Sequence, residues 1–478
     1  MARPRLTAAS LAFVLAVVTL AACNRDTPDG TARPGPSSSS APTTSIPDPD
    51  RPRGGTARVG VWGAPDVGAP TIGGAAVRAL VLPQLFVAQP DGAWRPSLVE
   101  PGSDRTADDG RSASFRLRPR AAWSDGSPIT AEDLRRNPDG RVVAGIDGPD
   151  VKGVITVRFS QPLPGWRRLW SGRDTVNAPG PNIWGGPFVV ASATPGLETV
   201  LRRNDKWSGV VFKGPFLDEV RLVLVPDAVT AADLLAKGEL DALMPPAYTV
   251  RTAELRGTAA VSVDAAQQGG WWVGLLMSAK LSEEDRRAMA GTIARERFIS
   301  ALMQDEAVVL NGFLGPEDAA WAVPRYPDAR SLKGDNIDLV GQIEEPMSPA
   351  LQRVMQQRVR TVSGTIELRN AEADRVEPWL AEGGYEAAVV MAVDGPEVCW
   401  LCRWQHVDEG LARAADAGDR AAAAQLEVKL RDQAWVVPFW RPRTVVAWRN
   451  GLNGMKANGY GLNAAWNAWE WWRTETGG

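Results

Sequence analysis

Two carboxylates three residues apart, Asp394 and Glu397, directly follow an apolar run at 385–393 that reads as a strand. A carboxylate at a strand end, in a cleft that closes and excludes water, makes a strong charge-assisted bond to an amine. Beside Gly395 and Pro396 the same residue types also make ordinary solvated turns, and both readings stand at this point. Cys399 and Cys402 then form a Cys-x-x-Cys, with His406 four residues further on. That spacing serves a redox pair, part of a zinc site or a short structural disulfide. The redox motif wants its own fold and helix, and zinc wants a fourth strong ligand that a chain with 1 His and 3 Cys does not obviously offer. Outside the cytoplasm the plain reading is a disulfide, with free thiols as the remaining alternative. Hydrolytic chemistry finds little support: there is no Gly-x-Ser-x-Gly and no His-Glu-x-x-His, and His406 is the one imidazole base. A Ser-Lys or carboxylate pair stays open. The aromatic content is inverted, with 20 Trp against 10 Phe and 4 Tyr.

These residues need a large body to position them. At about 150 residues per domain, 478 residues suggest roughly three domains. Apolar residues at 44% and charged residues at 23% match folded globular chains and exclude wholesale disorder, collagen and polytopic membrane proteins. The formal charge is −3, and removal of residues 1–22 with Arg3 and Arg5 takes it to −5. Such a balance carries no electrostatic footprint for nucleic acid.

The N-terminus reads as an address and an anchor. Two arginines precede an apolar run from Leu11 to Leu20, the layout of a secretory signal and too short to span a bilayer comfortably. Leu20-Ala21-Ala22-Cys23 looks like a bacterial lipobox, in which the Cys23 thiol is lipidated after cleavage. Several acyl chains on one residue satisfy the demand for more than one lipid signal. Residues 24–55 are Pro, Ser, Thr, Asp and Gly with few apolar side chains, a flexible tether. The expectation is an extracytoplasmic, lipid-anchored monomer on the outer face of the cytoplasmic membrane.

Along the folded part, 56–62 alternates as a strand and 77–86 reads as a helix. A short strand at 114–117 leads to turns at Asp125-Gly126 and Ser127-Pro128, and Thr130 with Asp133 resembles a helix capping arrangement. Strands follow near 185–193, 197–204 and 217–225, then a helix at 231–237 closed by Gly238. Helices are expected at 282–303, 351–362 and, as one long Ala-rich element, 411–433. Strands are expected at 364–368, 385–393 and 436–448, and Trp466, Trp469, Trp471 and Trp472 in the tail as core packing.

In combination these segments resemble the family 5 extracellular solute-binding proteins, the peptide/nickel-type receptors of ABC importers. The most specific stretch is Phe115-Arg-Leu-Arg118 with Trp123-Ser-Asp-Gly-Ser-Pro-Ile-Thr-Ala-Glu-Asp133. Gly186-Pro-Phe188, Leu201-Arg-Arg-Asn204-Asp-Lys-Trp207 and Gly214-Pro-Phe-Leu-Asp-Glu-Val220 form a second match. Leu234-Leu-Ala-Lys-Gly-Glu-Leu-Asp241, Thr292-Ile-Ala-Arg-Glu296, Gly384-Tyr385-Glu386 and Val437-Pro-Phe439 continue it in order to the C-terminal part.

The resemblance implies an α/β, two-lobed periplasmic-binding-protein-like fold. Domain I would be discontinuous (56–75, 184–262 and 441–478), domain II an insertion at 76–183 and domain III 263–440. It also implies a lipid-tethered receptor that catalyses no reaction, needs no cofactor or metal, captures a solute and hands it to ABC permease subunits. An oligopeptide is the leading ligand; a hydrolase, or a sensory or structural lipoprotein of the same fold, is the alternative. In peptide-binding relatives a domain III acid pairs with the ligand's α-ammonium, and Asp394 and Glu397 fall on that motif, although Pro396 here precedes the second acid. Trp271, Trp272, Trp400 and Trp404 fall on the implied cleft side of domain III, where indole walls suit a promiscuous peptide pocket or a cation cage; core packing is their other reading.

Overall fold

The computed structural model describes residues 51–478 apart from 70, 137–141, 161, 164, 172–174, 208–213, 246–251, 268–270, 292–306, 310–336, 343–352, 354–355, 357–365, 372–384, 394–399, 418, 460–464 and 475–478. Strand β1 (Thr56–Val61) sits at the centre of the first lobe, and its last three residues are buried. It is apolar there because a parallel strand covered on both faces has no solvent side. Helix α1 (Ile72–Val81) packs Ala76, Val77, Leu80 and Val81 onto one face. Thr71 caps it, its side chain accepting from the Gly74 amide at 3.0 Å.

The helix expected at 77–86 therefore starts earlier and stops at Leu82. The reason is Pro83, which forces the preceding residue into extended backbone and cannot continue the ladder. Strands β2 (Phe188–Thr194), β3 (Glu198–Arg203), β4 (Glu219–Leu224) and β5 (Ala242–Met244) complete this half of the sheet, in the order β2-β3-β4-β1-β5. β1 runs parallel to β4 and β5, while β2 and β3 are antiparallel neighbours at the edge. Helix α2 (Ala228–Lys237) covers the other face, capped by Asp227 and ended by Gly238 at φ 78°. Glycine is needed there because the left-handed turn lets its amide reach the last helical carbonyls.

A second layer of the first lobe is built around a four-stranded antiparallel sheet of Arg105–Thr106, Ser112–Arg116, Val154–Phe159 and Val143–Asp147. Its core is aromatic: the Phe115 ring stacks on Trp166 at 5.8 Å, and Phe86 meets the same indole edge-on at 5.3 Å. The capping box expected at Thr130 and Asp133 is present, with the Thr130 amide donating to the Asp133 carboxylate at 2.6 Å.

Two strands, β6 (Val261–Gln267) and β7 (Trp271–Met277), carry the chain out of the first lobe. The second lobe adds helix α3 (Glu283–Gly291), strands β8 (Ile337–Gln342), β9 (Ile366–Ala371) and β10 (Ala387–Val393), and helices α4 (Trp400–Asp416) and α5 (Arg420–Asp432). The 14-residue strand β11 (Val436–Arg449) then returns to the first lobe. It pairs with β7 through Val436–Trp440 and with β6 through Arg443–Arg449, so one ladder belongs to both lobes.

The single helix expected at 411–433 is two. Asp419 accepts from the Ala421 and Ala422 amides and starts α5 afresh, which reverses the chain into a helical hairpin. Within α4 a kink at Asp408 has the same cause, since its carboxylate accepts from the Leu411 amide at 2.9 Å instead of leaving that residue in the ladder.

The tail is packed as expected: Trp466, Trp469, Trp471 and Trp472 are all buried. The Trp471 indole donates to Asn467 at 3.0 Å, and the Asn467 amide donates to the Gly454 carbonyl at 2.7 Å, so the turn is fixed from inside. Trp469 and Trp466 join Val87, and Trp207 packs on this cluster, fastening the aromatic layer to the sheet. Arg473 donates to the Thr56 carbonyl at 2.6 Å and pairs with Asp241, closing the last strand onto the start of β1.

Gly214 lies against this tail, where an added Cβ would stand 2.2 Å from the Trp469 carbonyl oxygen. Gly214→Ala is expected to cost about 1–3 kcal/mol of overpacking and to lower the melting temperature by several degrees in a thermal scan. Gly257→Ala, at a site with no neighbour within 4 Å, serves as the control and is expected to leave it unchanged.

Candidate functional site

Strand directions locate the site. Ala242 and Leu243 of β5 pair antiparallel with Trp448 and Ala447 of β11, so β5 and its parallel neighbours β1 and β4 end toward the part of β11 that enters the second lobe. In that lobe Trp271 pairs with Val393, which puts the C-terminal end of β10 beside the start of β7, again next to the crossing. β8 is parallel to β10 and to β9 and ends on the same side. The C-terminal edges of both parallel sets therefore face each other across residues 440–443. In open α/β sheets this is where ligands bind, because strand ends supply loops and helix starts without interrupting the ladder.

The first-lobe edge consists of the loop after β1, the β2–β3 turn, the start of α2 and the end of β5. Trp62, the residue after β1, stands at this edge, half-buried, and packs against the cluster that contains Val225 and Leu243. Asp66 accepts from the Gly196 amide at 2.9 Å, and Asp227 accepts from the Thr230 amide at 2.8 Å; the latter bond and the Thr230 hydroxyl hold the Asp227 carboxyl below its usual range. Arg78 braces the loop from beneath, donating to the carbonyls of Val67 and Ala69 at 2.9 and 2.7 Å.

On the second lobe, position 271 opens β7 and position 272 pairs with Ala392, two residues before Asp394. Trp400 is the first residue of α4, and Cys402 lies on the same helix. Trp404, one turn on, is only 5% exposed and packs inward near His406 at 6.1 Å between ring centres. Asp394, Glu397, Cys399 and Cys23 lie outside the described residues. The pairing thus brings Trp271, Trp272 and the strand leading to Asp394 to one edge, while Trp404 stands behind it.

His406, read from the sequence as a neighbour of the thiols and as the one imidazole base, caps an aromatic stack. Its ring meets Trp435 edge-on at 5.0 Å, and the Arg286 guanidinium lies over the Trp435 ring at 3.7 Å. Arg286 is buried and donates to the carbonyls of Leu281 and Gln433, fixing the stack between α3 and the start of β11. The pattern of i and i+4 spacing gave no hint of it, since the partners come from three separate elements.

A shallower crevice, about 290 Å³ of open space lined by Leu82, Pro83, Leu98, Trp207 and Trp469, lies at the opposite end of α1 and away from the crossing. Among the described residues no helix is long and apolar enough to cross a membrane, and no three His, Cys, Asp or Glu side chains gather around a point fit for a metal ion.

Residues 169–340 match the model for bacterial extracellular solute-binding proteins, family 5 Middle. This segment, about a third of the chain, is similar to the family 5 solute-binding proteins. The match begins before β2 and ends in β8, so this family 5 segment includes β6 and β7, the strands that leave the first lobe. The oligopeptide-binding protein OppA of Mycobacterium tuberculosis is 26% identical over 221 residues, 37% of this chain and 36% of that protein. The probable monoacyl phosphatidylinositol tetramannoside-binding protein LpqW of the same organism is 27% identical over 236 residues, 41% of this chain and 36% of the relative. The aligned part thus spans about a third of either curated relative.

Two solved structures share the whole architecture. AgaA from A. tumefaciens R10, in complex with agropinic acid, has a TM-score of 0.72 at 19% identity and covers 88% of this chain and 99% of its own. AppA from Bacillus subtilis, in complex with a nonapeptide, has a TM-score of 0.68 at 15% identity and covers 89% of this chain and 100% of its own. At these identities the likeness is one of fold, and it agrees with the two-lobed family 5 architecture read from the sequence.

The histidine stack has a pH signature. Burial first, and the Arg286 charge second, hold the His406 imidazole below its ordinary value of 6.5. As pH falls through 6.5 the unfolded chain takes up its proton before the folded one. The stability from the neutral ring is therefore complete above 6.5, shrinks below it and is lost once the folded ring protonates. Denaturant unfolding at pH 7.5, 6.5, 6.0 and 5.5 checks this: wild type is expected to lose stability below 6.5, and His406→Gln to lose distinctly less over the same range.

Proposed function

We propose that this chain is the substrate-binding component of an ABC importer: it captures an oligopeptide between its two lobes and delivers it to permease subunits, from a lipid anchor at Cys23. The observation that carries the reading is the convergence of both lobes' strand ends on one crossing, with positions 271 and 272 laddered to the strand that leads into Asp394. Ligand bound there touches both lobes, so its affinity for the closed state exceeds that for the open one, and closure follows as a population shift. The family and the oligopeptide-binding relative support a binding protein over an enzyme.

In this reading Asp394 pairs with the ligand's ammonium and Glu397 assists. Trp271, Trp272 and Trp400 wall the second-lobe side, and Trp404 backs them from the interior. Cys399 and Cys402 close a short disulfide that ties the start of α4 to the loop before it. Residues 1–22 are a signal peptide and 24–55 a tether.

Asp394→Asn keeps shape and removes charge, leaving a desolvated ligand ammonium without its partner. Calorimetry with peptides of a tryptic casein digest, before and after N-acetylation, tests it. The variant is expected to bind free-amine peptides about tenfold or more weakly, which corresponds to about 1.4 kcal/mol, and acetylated ones unchanged. Equal affinity of wild type and variant for free-amine peptides refutes the assignment. For the anchor, Cys23→Ala is expected to release the protein from membranes or to leave it as unprocessed precursor, read by fractionation and lipid labelling.

A further inference from the structure

The described residues of the first-lobe edge are 62–69, 71–72, 194–197, 225–230 and 244–245. Among them only Asp66 and Asp227 carry charge. Both carboxylates are engaged by backbone amides of their own lobe, Gly196 and Thr230. The guanidinium beneath the loop, that of Arg78, is engaged by the carbonyls of Val67 and Ala69. Beside the exposed Thr194 and the amide-bound Asp227, the large side chains open on this edge are apolar: Trp62 is half-buried, and Ile72, Leu197 and Val229 are exposed at 37, 58 and 81%. Three of the four exposed large apolar side chains among the described residues thus lie on one edge, the one turned toward the second lobe.

Trp62 is the member of this set nearest the crossing. Val61 pairs with Met244, and Leu243 with Ala447, so Trp62 stands level with Val445 of β11. Position 271 stands level with Pro442, two residues past the Val273–Trp440 pair. Three residues along β11 are about 10 Å, and three strand spacings across it about 14 Å, which leaves about 17 Å between the two backbone positions. A separation of that size leaves room for a solute between the two strands.

Resting on the binding reading above, we infer that the first lobe is a neutral, apolar seat with Trp62 as its contact. The captured solute presents an uncharged, apolar or ring-bearing face to this lobe and whatever charge it carries to the second. Among the described residues of this edge the two carboxylates and the guanidinium beneath them already hold backbone partners, so a charged group pressed there by closure would lose more water than it regains in contacts. An indole instead offers large contact area to side chains and rings.

The test uses wild type, Trp62→Phe, Trp62→Ala and Trp62→Arg, purified natively from the same cells. Solutes carried through purification are released and identified by mass spectrometry; each protein is then incubated with a tryptic casein digest and the retained peptides are sequenced. Wild type is expected to retain peptides rich in aliphatic and aromatic residues. Trp62→Phe should hold them within about threefold, and Trp62→Ala and Trp62→Arg at least tenfold less. Ligand-free melting temperatures close to wild type for Phe and Ala exclude misfolding as the cause. Equal retention by Ala and wild type overturns the seat, as does retention dominated by peptides charged at every position, or better retention of cationic peptides through the Trp62 face. Wild type that ignores peptides but carries another solute overturns the peptide reading alone, and the seat stands if Trp62→Ala loses that solute. Wild type that retains nothing overturns both.

Discussion

Everything in this molecule hangs on β11, one strand hydrogen-bonded into both lobes. Its 14 residues change partner between Trp440, opposite Val273, and Arg443, opposite Gln267. Phe439, Trp440 and Arg441 at that change are fully buried. Pro438 and Pro442 bracket them, and a proline in a central strand brings no amide to the ladder. Next to them the register slips between Val273 and Gly274. At this change of partner the strand also pairs with Ala307–Val309, opposite Pro442, Arg441 and Trp440, so the few residues that must twist if the lobes rotate are laddered to a third segment. Rotation at such a point bends a sheet instead of opening a loop, so the lobes keep their alignment as they move.

The two lobes use the same device for opposite chemistry. Parallel strands end together and hand their last residues to loops and helix starts, so each lobe presents a row of short segments to the other. On the first lobe the acids are consumed locally, as the cap of α2 and as the anchor of the β2–β3 turn. The proposed recognition acids of the second lobe follow β10 in the sequence. A cleft with one neutral wall and one charged wall orients a solute that has both kinds of surface, because turning it around would bury a charge against indole and methyl groups.

The parts legible in the sequence were those enforced by local chemistry. Thr130 with Asp133, Gly238 and the alternation of 56–61 each act within a few residues, and the structure has them where the pattern puts them, while Asp227, which no expectation named, starts its helix three residues earlier than read. The two elements read wrongly also failed locally: apolar character at 82–86 outweighed Pro83, and the Ala-rich stretch at 411–433 hid Asp419 as a second cap. The two-lobed order was legible through a chain of motifs, since a fold built of interleaved segments leaves its mark as their sequence. The site was legible in part. Of the residues proposed for it, Trp271 and Trp272 were named from the sequence and Trp62 was not, because its place depends on which way β1 points in relation to a strand nearly 400 residues later. The stack of Arg286, Trp435 and His406 is equally non-local.

The closure of Arg473 onto Thr56 and Asp241 bears on how the polypeptide is made. The first lobe starts with the earliest strand of the folded part, yet its sheet lacks β11 and its aromatic tail until the ribosome has finished the second lobe. β5 keeps an unpaired edge for all that time, and the floor beneath Val87 waits for Trp466 and Trp469. Contacts of such long sequence separation form late and slowly. A chain whose first lobe waits for its last residues reaches its final packing only when the whole polypeptide is available, and passes through partly packed states until then.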